Sequence, residues 1–206
     1  METTEEINIY DSINDSLEQS IPYSQYRTEV ADLAANNATS GNEKTEALVN
    51  YTLLNDRRMK RWDKTIKVSD EVKRKVSNFE GNVTWLVLTE SWCGDAAHVI
   101  PVINKIAELS QNIHLKLVYR DENEALMNQF LTNGSKSIPK LIMIDNRSGE
   151  VMDTFGPRPS EATQMVMDYK KKHGVLTPEF KEELQHWYNT DKGQNTIGDL
   201  LKLLNL

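Results

Sequence analysis

The run Val83-Thr84-Trp85-Leu86-Val87-Leu88 is almost continuously apolar and rich in β-favouring residues, while the chain before it reads as polar loop and helix. Such a run suits a strand buried on both faces, with helices covering a sheet from both sides. The residues that follow keep to this requirement. A helix is expected over 93–110, with Val99, Val102, Ile103, Ile106 and Leu109 apolar, and then a strand over Ile113–Tyr119. A helix over 122–131 stops at Asn133-Gly134. Strands over 140–144 and 150–155 are joined by the hairpin signal Asp145-Asn146-Arg147-Ser148-Gly149. Ser160 is expected to cap a helix that runs to about Lys172 and is closed by Gly174. The first two strands flank a helix, so they should be parallel with a right-handed crossover. The last two should be antiparallel. The expectation is an α/β fold: a mixed four-stranded sheet flanked by helices, with added helices at both ends.

Residues 1–22 read as polar. A helix is expected over 24–35, with Tyr26, Val30, Leu33 and Ala34 at helical spacing, followed by a loop over 36–41. A long helix over 44–64 should turn Leu48, Tyr51, Leu54 and Trp62 towards one side. A short helix follows, with Ser69 as its N-cap and Asp70 and Glu71 in its first turn. Beyond Gly174, Thr177-Pro178-Glu179 opens another helix, and a last one covers 197–204. This organisation divides the chain into a helical extension (1–68), the sheet-and-helix domain (69–173) and a C-terminal helical extension packed on the core (174–206).

A formal charge of −7 over 206 residues argues against nucleic acid as a partner. No apolar run approaches the roughly 20 residues of a membrane span, so no membrane partner is expected. The acidic start, Met1 to Glu6, has no basic stretch leading into an apolar one, so no secretory signal is expected and a cytoplasmic location follows by default. One cysteine rules out a disulfide within the chain. His98, His114, His173 and His186 lie far apart, and no metal site is expected.

The chemistry concentrates in Glu90-Ser91-Trp92-Cys93-Gly94-Asp95-Ala96-Ala97-His98-Val99-Ile100-Pro101, at the C-terminal end of the buried strand and the start of a helix. A thiol at a helix N-terminus faces unpaired N–H groups and the positive end of the dipole. On that basis the Cys93 pKa should fall below the free value of about 8.5, leaving an accessible, nucleophilic thiolate. The Asp95 charge moderates this. His98 is expected at the surface or in a cap, five positions beyond Cys93. Arg57, Arg58, Lys60, Arg61 and Lys64 form a basic cluster diluted by Asp56 and Asp63. It is expected to be a solvated helix face, the alternative being one arginine near Cys93 that binds an anionic thiol or carboxylate.

These residues resemble the thioredoxin family. Trp92-Cys93-Gly94 is similar to the start of its Trp-Cys-Gly-x-Cys site, and Pro101 to the proline that kinks the following helix. Ser137-Ile138-Pro139-Lys140-Leu141-Ile142 resembles its cis-proline turn. The resemblance covers about 83–172, and the flanks look like a bacterial branch with helical extensions. It implies a cis Ile138–Pro139 bond beside the thiol, with Trp92, Gly94, Asp95, Ile138 and Pro139 contacting a substrate in extended conformation. Two departures stand out. The family's resolving cysteine falls on Ala96, and its buried carboxylate falls on Val87.

Three functions are therefore in view. The first is thiol–disulfide exchange through Cys93 alone on a protein disulfide, with no cofactor beyond a low-molecular-weight thiol as co-substrate. The second is a non-catalytic interaction module for a protein partner. The third, an iron–sulfur carrier like the monothiol glutaredoxins, fits Asp95-Ala96 poorly, because those proteins carry Cys-Gly-Phe-Ser.

Overall fold

A computed structural model describes residues 8–206. Its elements are α1 (Ile9–Glu18), α2 (Tyr23–Ala35), α3 (Glu46–Thr65), α4 (Asp70–Ser77), β1 (Val83–Thr89), α5 (Gly94–Ala107), β2 (Ile113–Tyr119), α6 (Glu124–Gln129), β3 (Lys140–Asp145), β4 (Val151–Phe155), α7 (Ser160–His173), α8 (Pro178–Asp191) and α9 (Gln194–Leu203). A single 3-10 turn, Arg120–Glu122, joins β2 to α6.

The sheet order is β2-β1-β3-β4. β1 is parallel to β2 from Val83↔Ile113 to Thr89↔Tyr119, and antiparallel to β3. β3 and β4 are antiparallel, with an irregularity between Met143 and Ile144. The fold class expected from the sequence is the one found. Trp85, Leu86, Val87 and Leu88 are fully buried, as a central strand covered on both faces requires. The free edge of β2 is partly closed by Ile21, whose N–H and carbonyl both pair with Leu117 at 2.9 Å.

Helices from both ends of the chain join one apolar cluster with the sheet: Ile13 of α1, Tyr26 and Val30 of α2, Met59 of α3, Tyr188 of α8 and Leu200 of α9. Among the described residues, no helix is long and apolar enough to cross a membrane.

Four local expectations are corrected. The polar segment 1–22 contains α1, N-capped by Asn8, whose side chain accepts the Tyr10 N–H at 3.1 Å. In α3 the face bearing Tyr51 and Leu54 is exposed, at 47% and 41%, while Thr52, Asn55, Asp56, Met59 and Trp62 turn inward. Of its polar members, Thr52 and Asn55 bond Ser91 in the turn after β1, and Asp56 pairs with Arg27 of α2 and Lys60. Cys93 is the N-cap of α5, which begins at Gly94. Ser160 does not cap α7: its hydroxyl donates to Asp199 Oδ1 at 3.0 Å, tying α7 to α9 instead.

Candidate active site around Cys93

β1 ends at Thr89, and the turn through Glu90, Ser91 and Trp92 brings Cys93 to the start of α5. The Cys93 N–H closes this turn on the Glu90 carbonyl at 3.1 Å. Sγ accepts the Ala96 N–H at 3.5 Å, taking the role an N-cap hydroxyl usually takes. The thiol also donates to the Ile138 carbonyl at 3.3 Å, and the Ile138–Pro139 bond is cis. Behind Pro139 lies Gly156, at φ +108. A Cβ there would come within 2.2 Å of the Pro139 carbonyl oxygen, so only glycine fits this backbone-to-backbone approach.

Cys93 is 8% exposed. Burial, seconded by the Asp95 carboxylate, pushes its pKa up to about 12, against the opposing pull of the Ala96 N–H and Arg158. The expectation of an accessible thiolate with a depressed pKa is corrected. The helix terminus does face the sulfur, but desolvation outweighs it because this terminus lies inside the core. Ala96 and Val87, both buried, stand at the family's two other positions, so neither a second thiol nor a carboxylate accompanies Cys93.

Asp95 is enclosed as well. Its carboxylate pairs with Arg158 at 2.6 Å and accepts the Tyr188 hydroxyl at 2.9 Å. Burial raises its pKa, and Arg158 and Tyr188 oppose that rise. The Tyr188 ring stacks on His98, with centroids 4.3 Å apart. His98 is 2% exposed, which corrects its expected surface placement. Its Nδ1 accepts the Trp62 indole N–H at 2.9 Å, so Nε2 carries the proton facing Gln185 Oε1 at 2.7 Å. Burial lowers the His98 pKa to about 3.

The turn before Cys93 is held by a network of side chains that sequence reading passed over. Glu90 is fully buried; its carboxylate accepts the Ser40 hydroxyl and, at 3.0 Å, the Asp121 N–H. Ser40 and Ser91 exchange backbone-to-hydroxyl bonds at 2.8 and 3.0 Å. Thr52 Oγ1 lies 2.9 Å from Ser91 Oγ, and Asn55 Nδ2 donates to the Ser91 carbonyl at 2.9 Å. The available signal was the spacing Thr52, Asn55, Met59, one helical stripe whose polar half needed partners.

Trp92 is half-buried, with the Arg120 guanidinium 5.0 Å over its ring. Arg58 donates to Asn55 Oδ1 at 3.0 Å, and a Cβ added to Gly94 would lie 3.5 Å from Arg58 Nη1. One arginine of the basic cluster thus sits beside the start of α5. Trp92, Cys93, Gly94, Asp95, Ile138 and Pro139 gather around this one helix end, with Ala96 behind them. Among the described residues, no three His, Cys, Asp or Glu side chains form a group able to hold a metal ion.

A strand–turn–helix bearing one thiol, set against a cis-proline loop that precedes an antiparallel strand pair, defines a thioredoxin-like protein. A family model described as thioredoxin matches residues 41–171, and the chain belongs to that family. The match starts upstream of the 83–172 covered by the motif resemblance and takes in all of α3. Two solved structures share the fold. A Pseudomonas aeruginosa protein of unknown function is 18% identical, covering 74% of this chain and 84% of its own, with a TM-score of 0.56. An HIV epitope-scaffold is 17% identical, covering 74% of this chain and 85% of its own, with a TM-score of 0.57. No curated protein matches the chain.

Proposed function

We propose that this protein carries out thiol–disulfide exchange through Cys93 alone. The observation that carries the reading is the position of the sulfur: it caps α5, accepts the Ala96 N–H, and touches the Ile138 carbonyl next to the cis bond. The Ile138 backbone is where an extended peptide can pair by strand addition. A peptide that takes over the Ile138 carbonyl frees the thiol from its acceptor.

The chemistry then runs in two balanced steps. Cys93 loses its proton to solvent, and the thiolate attacks a substrate disulfide. A Cys93–substrate disulfide forms, the substrate S–S bond breaks, and one substrate thiolate leaves. A low-molecular-weight thiolate then attacks the mixed disulfide, restoring Cys93 and departing as a disulfide with the substrate. Ala96 supports the need for an external thiol, since no second cysteine exists in the chain. The resting thiol is protonated at neutral pH, so exchange is slow until a substrate opens the site.

A specific observation favours a second reading, a non-catalytic binding module: the thiol is buried and engaged with the protein's own backbone. One experiment separates the two. Turnover of a small-molecule and a peptide disulfide is followed with and without glutathione, for the wild type and for Cys93→Ser. Exchange expects turnover that requires glutathione and vanishes in Cys93→Ser. Absence of turnover on either disulfide with glutathione present rejects exchange and leaves the binding module.

A further inference from the structure

Arg57, Arg61 and Lys64 of the basic cluster on α3 turn away from the acids that seem to dilute it. At 3.6 residues per turn, Arg57, Arg61 and Lys64 fall within about 60° of one another, while Asp56 and Asp63 point about 80° to 160° away from them. On that other side Arg27 pairs with both acids, at 3.3 and 3.1 Å, and Lys60 with Asp56 at 2.7 Å. Arg57, Arg61, Lys64, Lys67 and Lys192 are left without an ion pair among the described residues. In a chain of charge −7, this is a local field of the opposite sign.

The end of this face borders a cleft of about 650 Å³ between the C-terminal part of α3, the linker to α4, and the junction of α8 with α9. Its charged lining is Arg61, Lys67 and Lys192, with no carboxylate. Thr65, Ser69, Asn189 and Gln194 add neutral hydrogen-bonding groups, and Trp62 and Val68 add apolar lining. The walls are tied together. Arg61 donates to Asn189 Oδ1 at 2.6 Å and lies 5.4 Å over the Trp62 ring, and Gln194 Nε2 donates to the Lys67 carbonyl at 3.1 Å. The nearest acids on α4, Asp70 and Glu71, are engaged by Lys73 and Lys75.

We infer that this cleft binds a small molecule carrying two or more phosphate or carboxylate charges. Its volume suits a compact metabolite. An arginine held by Asn189, with two lysines lining the same cleft, suits a polyanion better than a single charge. The cleft is separate from Cys93, and the inference does not depend on any redox activity.

The test is calorimetric titration of the full chain with inorganic pyrophosphate and with citrate at low ionic strength, beside sodium chloride of matched ionic strength. Saturable binding of at least one polyanion is expected, weakened by added salt. The Arg61→Gln, Lys67→Gln, Lys192→Gln triple variant should bind about tenfold or more weakly. If the loss of the Arg61–Asn189 bond unfolds the triple variant, the Lys67→Gln, Lys192→Gln pair decides, with an expected weakening of about threefold or more. No saturable binding by either polyanion, or binding that survives in the folded variants, overturns the inference.

Discussion

Two clamps hold the turn that carries Cys93, and they are built from different chemistry. The clamp before the cysteine is a mesh of hydroxyls and amides around one carboxylate: Ser40, Thr52, Asn55 and Ser91 about Glu90. The clamp after it is a charge and a stack of rings: Arg158 and Tyr188 on Asp95, then His98 and Trp62. The first ties the turn to the α2–α3 loop and α3, the second to α8 and the loop before α7. The difference bears on how each side fails. Hydroxyls do not titrate, so acid loosens the second clamp through His98, whereas removing a single side chain does most harm in the first.

Acid should have the largest effect. The His98 pKa is depressed to about 3 in the folded chain, from 6.5. Its contribution to stability is therefore complete above pH 6.5 and lost as pH falls towards 3, at up to about 1.4 kcal/mol per pH unit. Glu90 acts with the opposite sign. Burial raises its pKa, so its contribution is complete at low pH and is lost as pH rises through its folded value. Urea unfolding from pH 7 to 3.5 should show a steep acid loss in the wild type and a flatter one in His98→Phe. Equal slopes would mean that the ring clamp does not govern acid failure.

Next in size, Glu90→Ala leaves the Ser40 hydroxyl and the Asp121 N–H without their acceptor and should cost about 3 kcal/mol in urea denaturation at pH 7. Asn55→Ala removes the bond to the Ser91 carbonyl and should cost about 2 kcal/mol in the same assay. Tyr188→Phe deletes one hydroxyl from the other clamp and should cost about 1 kcal/mol. If Tyr188→Phe proves more damaging than Asn55→Ala, the contrast between the clamps is reversed. The smallest effect separates charge from packing. Asp95→Asn removes the carboxylate that seconds burial in raising the Cys93 pKa, so the pH midpoint of Cys93 alkylation should move down. A midpoint that stays put would assign the whole rise to burial.

The sheet was legible because its signals are local. The apolar run of β1 and the Asp145–Gly149 turn each declare themselves within a few residues. α1 went unread: Ile9, Ile13 and Leu17 stand at four-residue spacing, but the polar composition around them hid the stripe. The site was legible as a set of residues and not as an environment. Ile138 covers Cys93 from 45 positions away, and Gln185 meets His98 from 87. Burial that rests on such distant partners outweighs the local helix-end effect and leaves no periodic trace. The buried polar face of α3 failed for the same reason: Thr52 and Asn55 are inward because Ser91, 39 and 36 positions on, receives them.

The seal of Ile138 over the chain's single cysteine has a practical consequence. A thiol-reactive label adds at one atom, and with Cys93 only 8% exposed it adds fastest in molecules whose cover has lifted. Under excess reagent, the rate at which the mass increases by one adduct becomes the rate of lifting; under scarce reagent, it reports the fraction lifted at any moment. The protein thus carries a built-in gauge of its own breathing, and electrophiles in solution will mark the open molecules before the closed ones.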